Sequence, residues 1–379
     1  MTNNTGVRLL GEMDLKLWGL NLRGWQQRAW RKAGASSVDD SSARLLVGIE
    51  WILSPALQRG LLRTPRAALI VADKKGKLCL AALHLAKGTQ GAKLVNYESL
   101  IGLSDFDEDR LRSEGFQLGN IDDFAPCYDR SLRKRESPYA LSLRVEKLRK
   151  VEKRLFQGAY KGVTDIVTKY VWPLPAFHVT RAAAALRIAP NTVTTFSLML
   201  VIIAFWQFWI GAWVWGIAAS WAMTFLDTVD GKLARTTMTY TKWGGFYDHG
   251  IDLIHPPFWY WAIWHGMQHS STGPGPAMLE VSLIVIIVSY VLNRAEEGIF
   301  MRQFGFHIHV WKHIDSIVRE ITARRNPNML IFMFAVMFGA PEWGFVAVAA
   351  WTLSCLIFHG YRLFKAQGVP KPLISWLEG

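Results

Sequence analysis

Apolar residues gather into blocks in the second half of the chain. Between Thr192 and Leu226 no side chain is charged. That run is longer than the roughly 20 helical residues a bilayer core needs, so it predicts two helices hinged near Gly211. Further apolar stretches cover about Gly244 to Met267, Ala277 to Leu292, Pro327 to Gly339 and Trp343 to Phe364. Together they predict a bundle of six transmembrane helices over residues 191–367. The loop charges agree. The turns near Gly211, from His265 to Pro276 and near Pro341 carry no Lys or Arg. The alternate connections carry Lys232, Arg235 and Lys242, then Arg294 through Arg325, then Arg362 and Lys365. Positive charge stays inside, so both termini are expected in the cytoplasm.

The first 140 residues pattern differently, as a soluble α/β domain. The stretch from Leu20 to Gly34 has helical spacing and a glycine stop. The runs RAALIVAD (66–73) and LCLAALHL (78–85) read as strands around a KKGK turn. Residues 141–190 predict a basic linker and interfacial helices, because LRKVEKRL has helical period and DIVTKYVWPLPAFHV alternates apolar and basic turns. Residues 368–379 are expected to be a cytoplasmic tail.

Composition narrows the function class. The chain is 51% hydrophobic and carries a net charge of +13, with 18 tryptophans. High hydrophobicity excludes a disordered chain. Cys79, Cys127 and Cys355 lie far apart and form no CxxC, so neither a disulfide scaffold nor a thiolate metal site is implied. With the apolar residues in membrane-length blocks, the basic excess is assigned to membrane lipids and a phosphorylated substrate rather than to nucleic acid.

Four aspartates, Asp227, Asp230, Asp248 and Asp252, sit where predicted spans meet a cytoplasmic loop. Carboxylates at a membrane edge are costly, so they point to function. Asp227 and Asp230 are three apart and Asp248 and Asp252 four apart, so each pair shares a helix face. If the two spans form an antiparallel hairpin, the pairs converge, and they stay ionised only around a cation. Oxygen ligands favour one or two Mg²⁺ or Mn²⁺ ions. Gly231 and Ala234 leave a groove for a flat ring, Arg235 offers a fork for phosphate, and Gly244 permits close helix packing. Structural ion pairs with Lys232, Arg235 or Lys242 would account for two of the acids at most.

The spacing Asp227-xx-Asp230-Gly231-xx-Ala234-Arg235-x8-Gly244-xxx-Asp248-xxx-Asp252 resembles, at every fixed position, the signature of the CDP-alcohol phosphotransferases (CDP-alcohol phosphatidyltransferases). IAPNTVT (188–194) resembles the entrance to that family's first span. The membrane part looks most like the di-myo-inositol phosphate phosphate synthase type, fused behind a nucleotidyltransferase-like domain. Here that domain lacks a glycine-rich phosphate loop, Gly6 and Gly11 being isolated, so it is expected to be non-catalytic.

The resemblance implies transfer of a substituted phosphate from a CDP-linked alcohol, CDP-diacylglycerol being the expected donor, to a polar acceptor alcohol with release of CMP. It implies Asp227, Asp230, Asp248 and Asp252 as metal ligands and Asp252 also as the general base. Asn191, Thr194, Gly231, Ala234 and Arg235 would line the nucleotide. Arg294 and Arg302 are candidates for the acceptor. A homodimer in a bacterial inner membrane, with the site facing the cytoplasm, completes the expectation. A divalent-cation carrier could use the same acids, but would leave Gly231, Ala234 and Arg235 without a role. His307, His309 and His313 do not share a helix face and are not expected to bind metal.

Overall fold

The computed structural model describes residues 5–40, 43–72, 76–86, 88–89, 92–129, 132–268 and 273–378. The contacts divide the chain into two units. The first comprises Met1–Tyr160 with Ala184–Arg187 and Arg235–Thr239; the second holds the remainder.

The first unit is built on a mixed five-stranded sheet. Its strands are β1 (Val7–Leu10), β2 (Leu45–Gly48), β3 (Ala67–Ala72), β4 (Leu78–His84) and β5 (Gln117–Gly119), in the order β1-β2-β4-β3-β5. β1 lies parallel to β2 and β5 parallel to β3, while β4 runs antiparallel to both neighbours. Alternating side chains feed both faces, as the period of a strand requires. Leu45 and Val47 join Trp30, Leu57 and Leu61 on one side; Leu46 joins Leu83, Leu111 and Phe116 on the other. Helix α1 (Leu22–Ala33) covers the first face with α2 (Pro55–Arg63). Asn21 caps α1 by accepting from the Gly24 N–H at 2.7 Å, and Gly34 ends it at a φ of 108°, where a side chain would be strained.

The predicted helix and strand pair are therefore present within a residue or two of their expected ends. Lys74 and Lys75 of the predicted turn lie outside the described residues.

The boundary expected at residue 140 falls later. Ala140–Ser142 pairs antiparallel with Trp51–Leu53, which ties the following segment into the first unit. The basic helix α3 (Leu148–Gly158) then buries Val151, Leu155 and Phe156, with the Phe156 ring stacked on Trp18 at 6.1 Å. Its apolar face is committed to protein. Arg149, Lys150 and Lys153 remain exposed.

The second unit is helical. It contains α4 (Pro173–Ala185) and α6 (Trp213–Thr236), the last two residues of each belonging to the first unit, with α5 (Pro190–Trp209), α7 (Lys242–Gly266), α8 (Pro276–Phe304), α9 (His313–Ile321), α10 (Arg325–Met337) and α11 (Pro341–Gln367). All six predicted apolar stretches are helices. Among the described residues, three of them (α5, α8 and α11) are long and apolar enough to cross a membrane. α6 and α7 are of similar length but carry the acids. α10 has 13 residues, which at about 1.5 Å per residue falls short of a hydrocarbon core of about 30 Å.

The core of this unit joins Phe208, Met223, Trp259, Ile286, Phe332 and Phe345. Its outer surface is also apolar, with Ile202, Val214, Met337 and Phe364 each more than half exposed. A surface of this kind belongs against lipid.

Two consecutive prolines, Pro256 and Pro257, interrupt α7. Pro257 has no N–H to give the Leu253 carbonyl. That carbonyl instead accepts from the Tyr290 hydroxyl of α8 at 2.9 Å.

Candidate active site

The four aspartates meet inside the second unit. The C-terminal half of α6 carries Asp227 and Asp230 one helical turn apart, and the N-terminal half of α7 carries Asp248 and Asp252. α7 packs along α5 and α8 rather than along α6, so the expected hairpin is replaced by two helices that approach at their acids. One carboxylate oxygen each from Asp227, Asp230 and Asp248 lies within 4.8 Å of the others.

Asp252 stands beside this trio through a residue that helical spacing did not single out. Arg325, the first residue of α10, donates from Nη1 to Asp252 Oδ1 at 2.5 Å and from Nη2 to Asp227 Oδ2 at 2.6 Å. The guanidinium supplies the cation that converging acids require. Its fork geometry suits two acceptors held side by side. Exposure grades across the acids: Asp230 is 1% accessible, whereas the Asp252 side chain is 37% accessible.

Arg325 is placed from behind by its neighbour. Asn326 donates to Asp165 Oδ1 at 2.9 Å, and Asp165 also accepts from the Thr168 N–H and hydroxyl. Burial alone would raise the Asp165 carboxyl; the Thr168 and Asn326 bonds and the charge of Arg319 outweigh it and hold the group below its usual range. The sequence signal was available in principle, since Asp165 and Thr168 form an i, i+3 capping pair.

Three of the predicted nucleotide-side residues are close to the acids. Thr194 donates its hydroxyl to Asp230 Oδ2 at 2.5 Å. Gly231 and Ala234 follow Asp230 on α6. Asn191, on the first turn of α5, opposes Gly244: a Cβ built on Gly244 would sit 2.8 Å from the Asn191 side-chain oxygen, so that position admits only glycine without a shift. Arg235 belongs by its contacts to the first unit, where its Nε donates to the Ala159 carbonyl at 2.9 Å.

Of the two arginines expected on the acceptor side, Arg294 is engaged with an acid. Arg294 and Arg324 both bind Glu297, at 3.3 Å and 2.6 Å. His309 is buried and 3.3 Å from the same carboxylate. Burial, more than its charged neighbours, drives the His309 imidazole well below its usual pKa. It is the neutral partner of an acid and no part of a metal cluster among the described residues. Arg302 is exposed near the end of α8, and the structure does not bring it to the four acids.

The donor set fits a hard divalent cation. All the candidate ligand atoms are carboxylate oxygens. Asp230 Oδ1 is buried and has no hydrogen-bond partner, which is costly unless something cationic meets it.

Residues 187–358 match the family model for CDP-alcohol phosphatidyltransferases. The chain is 28% identical over 203 residues to ethanolaminephosphotransferase 1 of Homo sapiens, covering 47% of this chain and 50% of the relative. It is 26% identical over 179 residues to archaetidylinositol phosphate synthase of Pyrococcus horikoshii, covering 47% of this chain and 85% of the relative. Phosphatidylinositol phosphate synthase of Streptomyces avermitilis is 28% identical over 136 residues, covering 34% of this chain and 52% of the relative. The chain thus spans about half the length of the ethanolaminephosphotransferase it matches.

Proposed function

We propose that this chain, whose residues 187–358 match the CDP-alcohol phosphatidyltransferase family model, is a membrane enzyme that moves a substituted phosphate from a CDP-linked alcohol to a second alcohol and releases CMP. The observation that carries this reading is the juxtaposition of Asp227, Asp230 and Asp248 within 4.8 Å, with Asp252 beside them.

Asp227, Asp230, Asp248 and Asp252 would hold one or two Mg²⁺ or Mn²⁺ ions. Such ions neutralise a pyrophosphate and the charge on departing CMP. The chain's own groups do the rest. Thr194 fixes the Asp230 carboxylate. Asn191, Gly231, Ala234 and Arg235 are assigned to the nucleotide. Asp252, more open than Asp227 and Asp230, accepts the proton of the attacking hydroxyl. That oxygen bonds to the phosphorus bearing the donor's alcohol as the bond to CMP breaks. A single displacement needs positioning and no covalent relay.

The reaction accommodates lipid on either side. The sequence resemblance favours CDP-diacylglycerol giving to a polar alcohol such as inositol, glycerol phosphate or serine. The reverse pairing gives a polar CDP-alcohol and a lipid acceptor. Glu297 takes one nitrogen from each of Arg294 and Arg324, and Arg294 and Arg302 remain the proposed contacts for the acceptor. Six spans, both termini and the site on the cytoplasmic face of a bacterial inner membrane, a homodimer, an α4 segment lying at the interface and a non-catalytic first unit complete the proposal. The exposed Tyr170, Val171 and Leu174 support the interfacial assignment.

The test is purified protein with Mn²⁺, CDP-diacylglycerol or CDP-ethanolamine, and panels of polar and lipid alcohols, read as CMP release and product mass. CMP release that needs an acceptor and a divalent ion supports the reading. No release from any pairing refutes it.

A further inference from the structure

The short helix α10 is preceded by a helix built inside out. In α9, Asp315, Ser316 and Arg319 are buried, whereas Ile314, Ile317 and Ile321 are 48%, 49% and 42% exposed. The isoleucines recur at i, i+3 and i+7 and so form one stripe. A helix bathed in water turns such a stripe inward and its charged residues outward. α9 does the reverse. Asp315 accepts from both Nε and Nη2 of Arg362 on α11, at 2.6 Å and 2.8 Å, and Ser316 Oγ accepts from the Trp376 indole at 2.9 Å. Polar side chains turned toward protein and apolar ones turned away are what a lipid surround selects.

The depth of α9 follows from what it touches on α11, which is long and apolar enough to cross a membrane. Asp315 meets Arg362, about 8 Å along the axis from the helix end at Gln367. The Ile321 carbonyl accepts from the Trp351 indole at 2.9 Å, and the Ala323 N–H donates to Cys355 Sγ at 3.3 Å. Trp351 and Cys355 stand about 24 Å and 18 Å from that same end, close to the middle of the 27 residues of α11. α9 therefore descends along α11 instead of passing over it in an aqueous loop.

Thr322, Ala323 and Arg324 alone separate α9 from α10. Open backbone at membrane depth is tolerated where protein satisfies it. Here Thr322 and Ala323 are buried, and α11 supplies both the donor for the Ile321 carbonyl and the acceptor for the Ala323 N–H. The Thr322 hydroxyl donates to the Val318 carbonyl at 2.9 Å. The 9 residues of α9 and 13 of α10, with this break between them, match the 25 residues of α7 in chain length.

We propose that α9 and α10 are the two halves of one interrupted span, and that hydrocarbon chains of the bilayer cover the face formed by Ile314, Ile317 and Ile321. The proposal rests on the membrane placement of the second unit and not on its chemistry. It moves residues 313–324 out of the expected cytoplasmic connection and into the membrane. It also gives the interruption a use. Because α10 starts at this depth, Arg325, its first residue, meets Asp227 and Asp252 inside the bundle.

The test is nitroxide scanning of the full chain in phosphatidylcholine nanodiscs. Cys79 and Cys127 are replaced by serine, the buried Cys355 is kept, and single cysteines are placed by Ile314→Cys, Ile317→Cys and Ile321→Cys. Ile284→Cys and Ile357→Cys, at exposed positions of α8 and α11, mark lipid, and Arg112→Cys in the first unit marks water. Relaxation by oxygen against a water-soluble nickel chelate reads depth. The three α9 labels should favour oxygen, with depth growing from Ile314 to Ile321 by as much as about 10 Å, the rise of seven helical residues. Ile317→Asp should shift the unfolding equilibrium in bicelles about a hundredfold toward the unfolded chain, as a charge in lipid does, and Ile317→Leu less than about threefold. Nickel access at Ile317 and Ile321 equal to that at Arg112, with Ile284 and Ile357 still in lipid, would overturn this proposal alone. So would equal tolerance of Asp and Leu at Ile317. Spin–spin broadening at Ile317 that unlabelled protein dilutes away would also overturn it, since a second copy would then cover the face. Nickel access at Ile284 and Ile357 as well would remove the second unit from the membrane, and the proposal with it.

Discussion

Replacing Arg325 by alanine separates two roles that its position combines. In the structure its side chain is 15% accessible and its partners Asp227 and Asp252 are 19% and 37% accessible. Removing it leaves two carboxylates facing each other with Asp230 and Asp248 nearby. Breaking a buried pair costs roughly 3–5 kcal/mol, and the partial exposure of Asp252 places this case at the lower end. The expected loss is therefore about 3 kcal/mol in chelator-treated protein. A divalent ion should recover much of it, because a ligand at about 100 times its Kd contributes roughly 2.7 kcal/mol. The substitution also removes a competing cation, so Mn²⁺ should bind the variant more tightly than the parent. The assay is denaturant unfolding in mild detergent, with chelator and with a Mn²⁺ series, alongside Mn²⁺ binding followed by electron paramagnetic resonance. A loss of stability that Mn²⁺ does not reduce, or a Mn²⁺ affinity that falls, would show that the arginine and the ion do not share these acids.

Other substitutions probe neighbouring parts. Asp252→Asn should abolish CMP release while CDP-alcohol binding stays measurable by calorimetry; normal turnover would reassign the base. Gly244→Ala forces a shift against Asn191, whose oxygen would be 2.8 Å from the new methyl. It should cost about 1–3 kcal/mol on unfolding, and Asn191→Ala should relieve most of that cost in the double variant. The Asp165 carboxyl is held below its usual range, so its stabilising contribution is complete above the unfolded value of about 3.9 and fades as pH falls through its lower folded value. An Asp165→Asn variant should lose stability at neutral pH and show a shallower decline between about pH 4 and pH 2 than the parent. Parallel acid-unfolding curves would refute that linkage.

The acids, the glycine at 244 and the helices that bear them were legible because helical spacing places side chains by local geometry alone. The strands at 67–72 and 78–84 were legible because alternation and turn residues are local too. Arg325 was not, since it meets Asp252 and Asp227 across 73 and 98 residues, and nothing in a single sequence marks which loop arginine closes on which acid. Charge counting offered Arg294 and Arg302 for the acceptor; the Arg294–Glu297 pair is a local i, i+3 contact, whereas the second arginine on Glu297, Arg324, comes from 27 residues further on. What covers the apolar face of α3 was not legible either. An amphipathic pattern reports that one face is covered and is silent about whether lipid or protein covers it. The partner here is Trp18, more than a hundred residues earlier.

The two prolines of α7 give that helix a joint. Below Leu253 its backbone ladder is broken, and a phenol borrowed from α8 fills the missing rung. The turn that presents Asp248 and Asp252 is thereby uncoupled from the deeper half, which Trp259 anchors by donating to the Val201 carbonyl. Stiffness along α7 is discontinuous just past its two acids, so a tilt of the acid-bearing turns need not be passed on to the half held in the bundle.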